Sequence, residues 1–132
     1  MDLAKQKGKK IGPIRDIYNK FKYSFEGFKY AYTHETSFIL ATLGLIVVII
    51  LGIVFHIDFF EWSLGVGSIL FILIIEFLNT GIEATVDMFT KEFNPLAKIA
   101  KDCGSAATFL MTFLGVFVNL VIFIPKMFPG LF

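Results

Sequence analysis

Residues 62–87 read WSLGVGSILFILIIEFLNTGIEATVD, and this stretch decides the fold. An apolar run leads directly into four polar or acidic residues, Glu76, Asn79, Glu83 and Asp87. Because a helix turns by about 100° per residue, these four side chains fall within about 80° of one another. Ionisable residues in a membrane helix cost several kcal/mol and usually mark a functional site. The stretch therefore predicts a membrane helix that carries a functional polar stripe.

The composition also indicates a membrane protein. Of the 132 residues 56% are hydrophobic, including 17 Phe, and the mean hydropathy is +0.75. Soluble domains average about 45–50% apolar residues. The single cysteine, Cys103, excludes an internal disulfide.

The N-terminal third is basic and then amphipathic. We expect residues 1–13 to form a flexible basic tail near an anionic membrane surface. Residues 14–34 predict a surface helix with an aromatic face and a basic face, of the kind that lies in the headgroup plane. A core-facing helix of a soluble domain is the alternative, but no soluble domain follows. The apolar face contains Ile14, Ile17, Tyr18, Phe21, Phe25, Phe28 and Tyr32.

Three apolar segments are long enough to cross a membrane core of about 30 Å. They run over about residues 36–56, 62–89 and 97–125, which form one membrane domain with the surface helix (14–132). We expect Pro125 and Pro129 to end the regular structure.

Small and polar residues inside these spans suggest close helix packing. Gly65 and Gly67 could permit close approach of two helices, and Asn119 predicts a hydrogen bond between helices. Glu35 lies just before the first span. It either projects from a continuous helix on its apolar side or marks a bend at the interface.

The basic residues predict the orientation. Eight of the twelve Lys and Arg precede residue 35, and three more lie in residues 90–102, in and next to the loop between the second and third spans. The positive-inside rule then places the N-terminus and this second loop in the cytoplasm. Glu35, the polar stripe and Lys101 would all lie on the cytoplasmic side of the plasma or inner membrane.

These residues suggest a specific chemistry. Carboxylates with an Asn suit Mg²⁺, which is usually bound through one or two carboxylates plus substrate phosphates. A nearby lysine would stabilise a phosphoryl group, so phosphoryl transfer from a nucleotide is indicated. Glu76 is the deepest carboxylate and suits a general base acting on a lipid hydroxyl. A cation channel or transporter, or a structural network between helices, would also explain such a stripe.

Two motifs resemble those of the small prokaryotic diacylglycerol and undecaprenol kinases. EFLNTGIEATVD (76–87) is similar to the family's E-x-x-N-T-x-x-E-x-x-x-D signature, and AKDCGSAA (100–107) to its A-K-D-x-x-S-A-A element. YSFEGFKYAYTHE (23–35) resembles its amphipathic entry segment. The resemblance implies an all-α membrane fold of one surface helix and three spans. It also implies a homotrimer with shared active sites and an ATP-dependent lipid kinase activity.

The resemblance also implies roles for individual residues. Glu35 and Glu83 would bind Mg²⁺ on the nucleotide phosphates, and Glu76 would be the general base. Asn79 and Lys101 would support the phosphoryl group. Contacts to the nucleotide would come from Tyr23, Ser24, Asp87, Glu92, Lys101 and Asp102.

The substrate expectation comes from the long basic N-terminus and the overall sequence, which look more like the family's Gram-positive branch. That branch is associated with undecaprenol, and diacylglycerol is the alternative. The segment after Glu35 reads TSFIL, without the basic residue found there in many relatives. We expect ATP, a lipid alcohol and the bilayer as partners, and no nucleic acid.

Overall fold

The computed structural model describes residues 12–131, which form four α-helices. Nearly all of the expected N-terminal tail lies outside this range. The chain divides into two compact units between His34 and Glu35, and each is described by itself. The helices are α1 (Pro13–His34), α2 (Thr36–Val54), α3 (Phe59–Phe89) and α4 (Pro95–Met127).

The first unit contains α1. The helix begins at Pro13, whose fixed φ suits the first helical position. Its aromatic face is exposed, with Phe21 at 68% and Phe25 at 78% of full exposure. On the polar side Lys20 and Asp16 form an ion pair of 2.9 Å. An amphipathic helix with an uncovered apolar face is suited to a membrane surface.

The second unit begins at Glu35, where the helical path is interrupted. Glu35 has an extended backbone (φ −119°, ψ 113°), and its side chain does not cap α2. The helix is therefore not continuous through Glu35, as it would be in one of the two possibilities that the sequence leaves open. The carboxylate is therefore not used by the local backbone.

Helices α2, α3 and α4 are long and apolar enough to cross a membrane, with mean hydropathies of 2.9, 1.9 and 2.4 over their most apolar windows. At 1.5 Å per residue, the 31 residues of α3 extend over about 46 Å, which exceeds a hydrocarbon core of about 30 Å. The end of α3 that carries Glu83 and Asp87 can therefore extend into the polar region beyond the core.

Helix α3 packs against both α2 and α4 around a small apolar core. Asn119 of α4 donates hydrogen bonds to the Ser68 hydroxyl of α3 (3.0 Å) and to the Gly115 carbonyl (2.8 Å), which confirms the predicted bond between helices. Gly65 lies beside the Asn119 amide, whereas Gly67 faces open space. Only the first of the two glycines thus permits close approach.

The end of the bundle opposite the polar stripe is fixed by polar contacts. Asp58 accepts a hydrogen bond from the Glu61 backbone N–H (2.8 Å), and the Glu61 carboxylate accepts one from that of Asp58 (2.9 Å). This reciprocal cap starts α3 at Phe59, three residues before the expected Trp62. The other oxygen of Glu61 pairs with Lys126 of α4 at 3.0 Å.

The expectation that Pro125 ends the regular structure is wrong. Helix α4 continues through Pro125 to Met127, and the Phe128 N–H still bonds to the Ile124 carbonyl. A proline in the last turn removes one backbone donor, and so few residues follow that the helix tolerates the loss.

We expect Gly52→Ala to destabilise the protein. A Cβ at Gly52 would lie 2.6 and 2.7 Å from two ring atoms of Trp62, and a rigid indole cannot move aside cheaply. The expected loss is about 1–3 kcal/mol in the free energy of unfolding, measured by unfolding in detergent. Gly67→Ala is the matched control, since nothing lies within 4 Å of its Cβ position. Equal losses in both variants would contradict the packing explanation.

Candidate active site

The polar stripe of α3 is half-buried along its length, and its members meet different neighbours. Glu76 contacts α2, Asn79 contacts α4, and Asp87 also contacts α4. The stripe therefore faces the other helices of the second unit.

At the deep end the Ser37 hydroxyl of α2 donates a hydrogen bond of 3.0 Å to Oε2 of Glu76. Both residues line a cavity of about 240 Å³ between α2, α3 and α4. Thr112 supplies the third polar side chain of this cavity, which we call the Glu76 cavity. Its remaining lining is Leu40, Ala41, Gly44, Ile69, Ile72 and Val116.

In the middle of the stripe the Asn79 amide group holds Glu83. Asn79 Nδ2 donates a hydrogen bond of 3.0 Å to Oε1 of Glu83, one helical turn further on. Asn79 Oδ1 is buried without a hydrogen-bond partner and lies against Gly104 of α4. The amide is thus confined between a carboxylate on its own helix and a glycine on the next.

At the polar end an ion pair joins the two long helices. Lys101 Nζ of α4 lies 2.8 Å from Asp87 Oδ1 of α3, and both side chains are partly exposed. Lys98 and Asp102 form a second pair within α4. Both pairs position charged groups where α3 ends and α4 begins.

An open cavity of about 460 Å³ lies at this point, lined by the connecting segment and the adjoining helix ends. We call it the polar cleft. Asn94 starts α4 there by accepting hydrogen bonds from the backbone N–H groups of Leu96 (2.9 Å) and Ala97 (3.2 Å). Three lysines line the cleft, Lys91, Lys98 and Lys101. Three carboxylates, Asp87, Glu92 and Asp102, line it as well, so an anionic ligand here would need a cation beside the lysines.

The structure brings together some of the predicted site residues and separates others. Asp87, Glu92, Lys101 and Asp102 line the polar cleft, whereas Glu76 lies in the deeper cavity. Glu35 opens the second unit.

Tyr23 and Ser24 belong to α1, in the first unit. The Ser24 hydroxyl donates to the Lys20 carbonyl of its own helix (2.9 Å).

Among residues 12–131 no group of three or more His, Cys, Asp or Glu side chains could hold a metal ion. A divalent ion bound by Glu35 and Glu83 would thus need further ligands. Substrate phosphates and water commonly supply such ligands to a divalent ion.

Sequence reasoning missed Ser37, Gly104 and Lys98. Ser37 lies in the segment TSFIL, which stands out in the sequence only because it lacks a basic residue. The feature that could have identified Ser37 as a site residue is a hydroxyl group at the start of an otherwise apolar span. Gly104 stands inside the second motif, where it reads only as a small residue.

Comparison with known proteins shows the family to which the chain belongs. The family model of prokaryotic diacylglycerol kinase matches residues 22–123. A diacylglycerol kinase of Pseudomonas aeruginosa is 39% identical over 97 residues, which are 74% of this chain and 79% of the relative. An undecaprenol kinase of Bacillus subtilis is 35% identical over 98 residues, covering 70% and 76%. The chain therefore belongs to the prokaryotic diacylglycerol kinase family and is a membrane-bound lipid kinase.

Proposed function

We propose that this lipid kinase transfers the γ-phosphate of ATP to undecaprenol and releases undecaprenyl phosphate and ADP. The names of the relatives divide between diacylglycerol and undecaprenol. The choice between the two lipids therefore depends on the site.

The observation that supports undecaprenol is the lining of the Glu76 cavity. Only Glu76, Ser37 and Thr112 are polar there. A polyprenol presents one hydroxyl on a hydrocarbon chain, which three polar groups can satisfy. Diacylglycerol adds two ester groups beside its hydroxyl, and burying unpaired polar groups costs about 1–3 kcal/mol each. The alternative substrate, diacylglycerol, is favoured by the names of several relatives.

In the proposed reaction the lipid hydroxyl oxygen attacks the γ-phosphorus, and the bond to the β–γ bridging oxygen breaks. The hydroxyl proton passes to Glu76, which the Ser37 hydrogen bond holds in place. Lys101 stabilises charge on the nucleotide phosphates at the polar cleft, and Asn79 fixes Glu83. Mg²⁺, held by Glu83 and Glu35 with the phosphates, would neutralise the phosphate charge.

We place the nucleotide in the polar cleft, with its phosphates directed along the stripe towards Glu83. Asp87 lies about 16 Å from Glu76 along the helix axis, so an extended nucleotide suits this path better than a compact ligand. Asp87, Glu92 and Asp102 then surround its outer part. Tyr23 and Ser24 remain proposed nucleotide contacts, as part of a homotrimer with shared active sites. Cross-linking in mild detergent tests the trimer.

We also propose that the polar cleft faces the cytoplasm, as the distribution of basic residues indicates. In a Cys103→Ala background, we expect a cysteine at Glu92 to react with a membrane-impermeant maleimide in inside-out vesicles and to be protected in right-side-out vesicles. Labelling in right-side-out vesicles alone would reverse the orientation.

The test of the function is phosphate transfer from γ-labelled ATP in mixed micelles, with undecaprenol or diacylglycerol as acceptor. We expect faster transfer to undecaprenol, and loss of transfer when EDTA removes the divalent ion. Faster transfer to diacylglycerol would overturn the substrate and keep the reaction. Transfer to neither lipid by folded protein would contradict the proposed function.

A further inference from the structure

The feature that carries the inference is the contact between Gly104 and Asn79. Gly104 is buried at the start of α4 and faces the α3 stripe. A Cβ added there would lie 2.1 Å from Asn79 Oδ1 and 3.3 Å from its Cγ. No side chain at residue 104 is compatible with the observed position of the amide.

We infer that Gly104 is a positioning residue of the kinase, which seats the Asn79 amide so that Asn79 can hold Glu83. The inference rests on the proposed function for the role of Glu83 in binding the divalent ion. Gly104 itself needs no contact with substrate, because it acts through Asn79.

The unpaired carbonyl of Asn79 supports this reading. Oδ1 is buried and has no hydrogen-bond partner, a condition that costs about 1–3 kcal/mol. The observed conformer directs Nδ2 at Glu83 and leaves Oδ1 against the glycine. The conformer that fixes the Glu83 carboxylate therefore leaves Oδ1 unpaired, at a cost in stability.

The nature of the contact predicts what a methyl group would do. The crowded atom is the end of a side chain rather than backbone, so Asn79 can rotate away and the helices can still pack. Rotation breaks the 3.0 Å bond to Glu83. The expected defect is therefore in the site more than in the fold.

The experiment measures the transfer rate against Mg²⁺ concentration at fixed ATP for wild type and variants. For Gly104→Ala we expect a rate lower by about tenfold and half-saturation at several-fold higher Mg²⁺, since a loosened ligand binds the ion less well. Asn79→Ala should show the same shift. The double variant should be no worse than Asn79→Ala alone, because both changes act through one amide.

Two other glycines separate positioning from packing. Gly115 of α4 also meets α3 closely, with its Cβ position 2.7 Å from Ile72 Cδ1, whereas Gly67 meets nothing within 4 Å. Gly115→Ala can alter stability but should leave the Mg²⁺ dependence unchanged, and Gly67→Ala should leave the Mg²⁺ dependence unchanged without lowering stability. A wild-type Mg²⁺ dependence in Gly104→Ala would overturn the inference.

A stability measurement tests the contact without the activity. Gly104→Ala should lower the unfolding temperature in the wild-type background and should not lower it in the Asn79→Ala background, where the crowded amide is absent. An equal loss of unfolding temperature in both backgrounds would overturn the inference. If Gly104→Ala alone fails to fold, failure of the double variant with Asn79→Ala to fold would overturn it in the same way. If the wild type phosphorylates no lipid, the proposed function fails. The stability comparison of Gly104→Ala in the two backgrounds still decides whether Gly104 positions the Asn79 amide.

Discussion

Glu76→Gln is expected to reduce phosphate transfer by about 10²- to 10⁴-fold, the usual contribution of a positioned general base. Glutamine keeps the size of the side chain and can still accept the hydrogen bond from Ser37. It cannot take the hydroxyl proton from the lipid. The loss should therefore appear in kcat, with little change in the KM for ATP, and it is measured with γ-labelled ATP in mixed micelles.

The matched control for this prediction is Glu61→Gln. Glu61 lies on the same helix at the opposite end, where it completes the cap with Asp58 and pairs with Lys126. Its replacement should lower stability and leave the rate of the folded protein unchanged. If Glu76→Gln keeps a tenth or more of the wild-type rate, Glu76 is not the base.

Lys101→Gln is the second change with a large expected effect. The ammonium group of Lys101 neutralises Asp87 at 2.8 Å and faces the polar cleft. Its loss would remove a cation from beside the proposed nucleotide phosphates and leave the Asp87 carboxylate uncompensated. We expect kcat to fall by about 10²- to 10³-fold, with a higher KM for ATP.

Two further variants define what this result means. Lys20→Gln breaks an exposed pair within α1 and should leave the kinetics unchanged. Asp87→Asn combined with Lys101→Gln removes the unpaired carboxylate. If the double variant regained the wild-type rate, Lys101 would only neutralise Asp87 and would have no role at the phosphoryl group.

The sequence predicts the helices well because their signals are local. The aromatic repeat of residues 14–34 and the three apolar runs each follow from helical periodicity or length, and the structure has helices in these places. The sequence does not predict the interruption of the helix at Glu35, because the residues around it include neither Gly nor Pro. Pro125 gave a wrong prediction for the opposite reason. Proline is a strong helix-breaking signal, but this proline lies in the last turn of α4, where it has little effect.

In the candidate site, too, contacts within one helix could be predicted from the sequence and contacts between helices could not. The Asn79–Glu83 bond joins residues four apart on one helix, so the stripe predicts it directly. The pairs Asp87–Lys101 and Ser37–Glu76 join different helices. They depend on how the helices pack, which a single sequence does not contain. Gly104 was missed because its importance lies in the atom that it lacks.

The proposed lipid site, the Glu76 cavity, lies inside the bundle of three apolar helices, and this affects how the enzyme would meet its substrates. A lipid alcohol arrives by lateral diffusion in two dimensions, whereas ATP arrives from bulk solution. The KM for the lipid is then expressed as the mole fraction of the lipid substrate in the surrounding membrane. Added inert phospholipid should slow the reaction by surface dilution, and added buffer at constant ATP should not. The cell could therefore control this enzyme through the composition of the lipid around it.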